Sequence, residues 1–102
     1  MAIIPNILPD PYTIFLNNVA SEFNTQVRSN RYGRYIHHER ANCIKVMCYF
    51  SGLDVTEIGR LFMIDRASLY HNIREAHKHP ATYNRILQIF IDTLNRYRIV
   101  CR

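Results

Sequence analysis

Two short amphipathic runs joined by a four-residue break constrain this chain more than any other feature. Residues 54–78 read DVTEIGRLFMIDRASLYHNIREAHK. Val55, Ile58 and Phe62 recur at helical spacing before the break, and Leu69, Ile73 and Ala76 recur after it. Neither run is long enough to hold a helix alone, because nucleation is costly and short helices depend on tertiary packing. Both apolar faces must therefore share one core, with Met63, Ile64, Asp65 and Arg66 turning the chain between them. Asp54 or Thr56 can cap the first helix, Glu57 places favourable negative charge in its first turn, and Asp65 can cap the second. Gly59 is expected to let the two helix backbones approach closely. Off its apolar stripe the second helix carries Arg66, Ser68, Tyr70, His71 and Arg74, groups that can donate to phosphates or base edges. The spacing predicts a DNA-reading helix-turn-helix, with Arg66, Ala67 and Ser68 on the turn that usually meets bases.

The remaining segments predict the helices that such a pair needs around it. Asp10 followed by Pro11 is a start signal, and Tyr12, Phe15, Leu16, Val19 and Phe23 follow at helical spacing to an end near Asn24. Residues 1–9 hold two prolines and no period, and read as an arm. From Glu39 to Ser51 the helical pattern returns, with Ile44, Met47, Cys48 and Phe50 as the inward positions and Gly52 as the stop. His79 and Pro80 interrupt the chain again. A last helix then carries Tyr83, Ile86, Leu87, Phe90, Ile91, Leu94 and Tyr97, an apolar face wide enough to close the core and leave a surplus. The expected fold is an all-α bundle of about five helices forming one domain over residues 10–102. The surplus could meet a replication protein or a second copy of the chain.

Composition narrows the function. A chain of 102 residues is long enough to bury a core without metal or disulfide support. Its three cysteines, Cys43, Cys48 and Cys101, leave one over in any pairing and form no CxxC, so they read as reduced thiols in a cytoplasmic protein. No run approaches the roughly 18 apolar residues of a membrane span, and the start lacks the pattern of a signal peptide. There is no GxxxxGK[ST] and only three glycines, which argues against a phosphate-cradling loop and a nucleotide cofactor. Adjacent His37 and His38 point to different sides of a helix and have no third ligand at a recognisable spacing, so no metal is expected. His71 with Asp65 or Glu75 lacks a nucleophile or cleft, so the chain is read as a non-enzyme.

A formal charge of +5 and a pI near 9.4 suit an acidic partner. The excess gathers at residues 26–38, QVRSNRYGRYIHH, where Arg28, Arg31 and Arg34 fall at every third position around Gly33. Such a segment can release counterions from phosphates, and arginine suits a narrow minor groove.

Taken together these residues resemble the DNA-binding C-terminal domain of the bacterial replication initiator DnaA, a helix-turn-helix of the Trp-repressor-like superfamily. The resemblance runs from about Val19 to Arg96. It is carried by VASEF at residues 19–23, the basic segment from Arg28 to Arg34, Arg40, EIGRLF at residues 57–62, and Asp65, Ser68, His71 and Arg74. The resemblance implies that one of Arg28, Arg31 and Arg34 enters the minor groove. It further implies that Asp65, Arg66, Ala67, Ser68, His71 and Arg74 form the major-groove and phosphate surface on double-stranded DNA. Two departures bear on base preference. The family's Gly-Gly-Arg before the aspartate is reduced here to Met63 and Ile64, and Ala67 stands in place of a threonine. The initiator's ATPase domain has no counterpart in these 102 residues. The implied role is a replication accessory or transcription regulator that occupies origin-type or operator sites. The rival expectation is a protein-interaction module that binds a replication protein through the last helix and no longer reads DNA.

Overall fold

The computed structural model describes residues 10–25, 27 and 38–101, with residues 97–101 described for their backbone alone. Five helices make up the described fold: α1 Pro11–Phe23, α2 His38–Phe50, α3 Val55–Phe62, α4 Arg66–Ala76 and α5 Pro80–Cys101. The all-α bundle expected from the spacing is the fold adopted. The arm at residues 1–9 and the basic segment with Arg28, Arg31 and Arg34 lie outside the described residues.

Local signals set the ends of the elements. The Asp10 carboxylate accepts from the amides of Tyr12 and Thr13 at the start of α1, where Pro11 occupies a position whose N–H would have no partner. Asn24 closes that helix in the left-handed conformation at φ 52°. Gly52, at φ +79°, turns the chain out of α2, a conformation that glycine adopts without steric cost. Asp54 rather than Thr56 caps α3. Its carboxylate accepts from the Glu57 amide at 2.9 Å while Glu57 reaches back to the Asp54 amide, a reciprocal capping box.

Helix α2 is the hub, packed against each of the other four helices. Every side chain from Arg40 to Met47 is buried as a result, polar ones included. This overturns the expectation of a single inward stripe. Ile44 and Met47 are buried as expected, but so are Cys43 and Val46. Cys48 is only half-buried, and Phe50, at the end of the helix and the edge of the bundle, is 52% exposed. In α5 the expected face is shifted in the same way: Ile86 and Phe90 are buried, Ile89 joins them, and Ile91 is 43% exposed. The side chain of Tyr97 lies outside the description.

Burial on all sides of α2 leaves its polar groups needing partners inside the protein. Arg40 donates from Nη2 to the Phe62 carbonyl at 3.1 Å, tying the start of α2 to the end of α3, while its Nε has no partner among the described residues. Desolvation pushes the Arg40 guanidinium below its ordinary pKa. Lys45 rests its ammonium 4.0 Å above the Tyr83 ring, a cation–π contact that partly offsets burial. The Cys43 thiol is pushed upward, chiefly by desolvation and then by Glu39, so it stays protonated and behaves as a small apolar residue. Elsewhere Phe15 meets Phe90 edge-on with centroids 5.0 Å apart, and Glu22 forms a two-pronged ion pair with Arg85, both joining α1 to α5.

Candidate nucleic-acid interface

The break between α3 and α4 is one residue shorter than expected, because Arg66 is already helical: Met63, Ile64 and Asp65 make the turn alone. Its geometry is a Schellman closure. The Ile64 amide donates to the Gly59 carbonyl at 2.9 Å and the Met63 amide to the Arg60 carbonyl at 3.2 Å, with Met63 left-handed at φ 59°. This turn also gives the reason for glycine at position 59. A Cβ there would lie 2.9 Å from the Ile64 carbonyl oxygen, so the tight approach is to the turn's own backbone.

Met63 is an unusual occupant of this turn. An L side chain in the left-handed region costs roughly 1–2 kcal/mol, and Met63 recovers little by packing because it is 72% exposed. Met63→Gly is expected to raise stability by about 1 kcal/mol in urea unfolding, and Met63→Val to lower it, since β-branching worsens the same clash. Equal stability of the three proteins would contradict the turn geometry.

Asp65 caps α4, accepting from the Ser68 amide at 2.7 Å. Hydrogen bonds from the Ser68 amide and hydroxyl hold the Asp65 carboxyl below its ordinary value of 3.8. A depressed folded-state pKa means that this stabilisation is full above the unfolded value and fades as pH falls through the lower, folded value. Asp65→Asn keeps an acceptor for the cap but should remove this part of the acid sensitivity, which thermal unfolding from pH 6 down to pH 2 would read. An unchanged pH profile would dissociate Asp65 from the cap.

Leu69, Asn72 and Ala76 are the buried side of α4, lying against α2. Asn72 donates from Nδ2 to the Ser68 carbonyl at 2.8 Å and leaves its Oδ1 unpartnered among the described residues. Fixing that side turns Arg66, Ala67, Tyr70, His71 and Arg74 outward, all exposed. Arg66, Tyr70 and Arg74 follow at four-residue intervals, so they form one stripe spanning roughly 12 Å along the helix.

Arg66 and Arg74 form no ion pair with any described residue. Glu75, the acid next to Arg74 in sequence, is instead engaged by Lys78 at 2.9 Å, and Asp65, next to Arg66, caps the helix. Thus Arg66, Ala67, His71 and Arg74 reach the outer surface together, whereas Asp65 and Ser68 are largely occupied with each other and Ala67 offers only a methyl group.

Arg60 belongs with this surface and was not singled out from the sequence. It is exposed, unpaired among the described residues, and lines a shallow groove of about 420 Å³ with Thr56, Met63, Asp65 and Arg66. Its place, one turn before a predicted break and off the Val55–Ile58–Phe62 stripe, is the signal that could have found it.

Beside the far end of α4, the His38 ring stacks on His79 with centroids 4.4 Å apart. Its Nε2 lies 3.0 Å from Glu39 and its Nδ1 3.3 Å from the Thr82 hydroxyl. Among the described residues no group of three or more His, Cys, Asp or Glu side chains could hold a metal ion. None of the helices described is long and apolar enough to cross a membrane.

The fold and this surface define a class: an all-α bundle that presents a short helix whose basic and aromatic outer face is unpaired among the described residues. Compared with known proteins, the chain matches no family model, no curated protein and no solved structure.

Proposed function

We propose that this protein binds double-stranded DNA in a sequence-specific manner, with α3, the turn and α4 acting as a helix-turn-helix and α4 lying in the major groove. The observation that carries this reading is the outward stripe of Arg66, Tyr70 and Arg74, two cations without acidic partners among the described residues, on a helix whose opposite side is fixed against α2. A major groove about 12 Å wide accepts one α-helix with its side chains, and α4, roughly 16 Å long, offers about three turns to it. Under this reading Arg66 contacts a base edge, His71 and Arg74 contact bases or phosphates further along, and Arg60 approaches the backbone from α3. Arg28, Arg31 and Arg34 supply the second contact, along the adjacent minor groove or phosphates. The resemblance to the replication initiator's reading domain supports a role as a replication accessory or regulator that binds DNA without catalysis.

One module of this size buries only roughly 600–1,000 Å² of protein surface on DNA, so strong specificity requires the basic segment, a dimer or clustered sites in addition to α4. The test is a selection from random duplexes followed by fluorescence anisotropy across a salt series. Tight binding to the selected duplex, weaker binding to random DNA and a steep negative salt slope are expected. Equally weak binding to both, without a steep slope, would sink the reading.

A further inference from the structure

Tyr70, at the centre of the outer stripe of α4, differs from the other tyrosines whose side chains are described. The Tyr12 hydroxyl donates to the Ser51 carbonyl at 3.1 Å, Tyr49 lies edge-on to Phe50 at 6.4 Å, and Tyr83 lies beneath the Lys45 ammonium at 4.0 Å. Tyr70 is 45% exposed, and among the described residues neither its hydroxyl nor its ring meets a partner. Arg66 and Arg74 stand four residues to either side, each roughly 6 Å away along the helix axis, yet neither guanidinium covers the ring. The face of α4 turned away from α2 therefore presents a bare aromatic surface between two cations.

A major groove offers such a ring one matching group. Base edges there display hydrogen-bond acceptors and donors, which arginine reads on guanine through O6 and N7; the apolar group among them is the 5-methyl of thymine. Packing an aromatic ring on that methyl takes apolar surface of both out of water. A phosphate would engage the tyrosine hydroxyl instead. Phosphates line the groove walls, however, and Tyr70 lies on the line joining the two arginines, the part of α4 turned to the groove floor.

We propose that the Tyr70 ring packs against the 5-methyl group of a thymine, an inference that rests on the DNA-binding reading above and makes Tyr70 a determinant of base preference. Its separation of roughly 6 Å from Arg66 corresponds to about two base steps, so the recognised site carries this thymine one or two base pairs from the base read by Arg66.

Deoxyuridine pairs as thymine does and lacks only the methyl group, which makes it the probe. Each thymine of the selected duplex is replaced in turn, and anisotropy titrations compare the duplexes. One replacement is expected to weaken wild-type binding roughly fourfold, the effect of leaving one methyl group unburied. Tyr70→Ala should weaken binding to the thymine duplex by a similar factor and no longer distinguish thymine from deoxyuridine there, whereas Tyr70→Phe keeps the distinction. Arg66→Ala should alter preference at a neighbouring base pair and leave the thymine-to-deoxyuridine ratio in place. The deoxyuridine series uses the wild-type protein, so it reads the contact whatever the variants do to folding. Equal affinity for every deoxyuridine duplex, or a selected site with no thymine at that spacing, overturns the proposal while DNA binding stands. Sensitivity that survives Tyr70→Ala overturns it in favour of another reader such as Ala67, and sensitivity lost in Tyr70→Phe overturns it in favour of the hydroxyl. Failure to bind selected and random duplexes alike overturns the DNA-binding reading itself.

Discussion

The double variant Arg66→Ala/Arg74→Ala is expected to lose roughly 100- to 1,000-fold in affinity for the selected duplex while keeping the wild-type circular dichroism and Tm. The two residues should contribute differently. Arg66 stands on the first turn of α4, where a bidentate contact to a base edge is worth about 1–3 kcal/mol, so Arg66→Ala alone should change which base is preferred. Arg74 lies two turns on, and its loss should weaken binding to all sequences and reduce the salt slope by about one. Their effects should nearly add, since roughly 12 Å of helix separates them. Both side chains are exposed and unpaired among the described residues, so folding should be indifferent to their removal. Anisotropy titrations of the single and double variants at several salt concentrations read each outcome. Wild-type affinity in the double variant would remove α4 from the DNA surface.

For stability, the largest expected loss follows Phe62→Ala. Phe62 is fully buried at the end of α3, and its carbonyl receives the hydrogen bond from Arg40. Truncating a buried phenylalanine removes its burial and leaves a cavity, together costing about 3–5 kcal/mol. Domains of this size hold only about 5–15 kcal/mol in total, so the urea midpoint should fall by roughly a fifth or more. Met47→Leu, at an equally buried site in α2, keeps the volume and should cost less than about 1.5 kcal/mol. A Phe62→Ala protein as stable as Met47→Leu would mean that α3 does not pack as described. Because Phe62 immediately precedes the turn, its loss should also weaken DNA binding at temperatures where most of the protein remains folded.

Helix limits were read from the chain with small errors, for a physical reason. Asp10 with Pro11, Asp54 with Glu57, and Asp65 each act on amides within one turn, so the residues that carry the signal are the residues that carry out the capping. The outward placement of Arg66, Ala67, His71 and Arg74 was likewise legible, since it follows from their offset from Leu69 and Ala76. Burial in α2 was not. Asn42 and Lys45 lie off the stripe of Ile44, Met47 and Cys48 and read as solvent-facing, yet both are enclosed, as is the charged Arg40, because four other helices surround that segment. Phe50 and Ile91 erred in the opposite direction, being apolar and in phase but only partly covered where α2 and α5 meet at the edge of the bundle.

The sequence alone therefore determined the all-α class, the caps at Asp10 and Asp65, and which side of α4 turns away from the core, because those depend on contacts a few residues apart. Only the tertiary structure decided that α2 is the hub, that Gly59 makes room for the Ile64 carbonyl, that Arg60 joins the α4 surface, and that Phe50 and Ile91 border an open groove. The hub and the exposed edge depend on which distant segment comes to lie alongside, and helical periodicity carries no record of a neighbour from elsewhere in the chain; the roles of Gly59 and Arg60 depend on the path of the turn, where that periodicity stops.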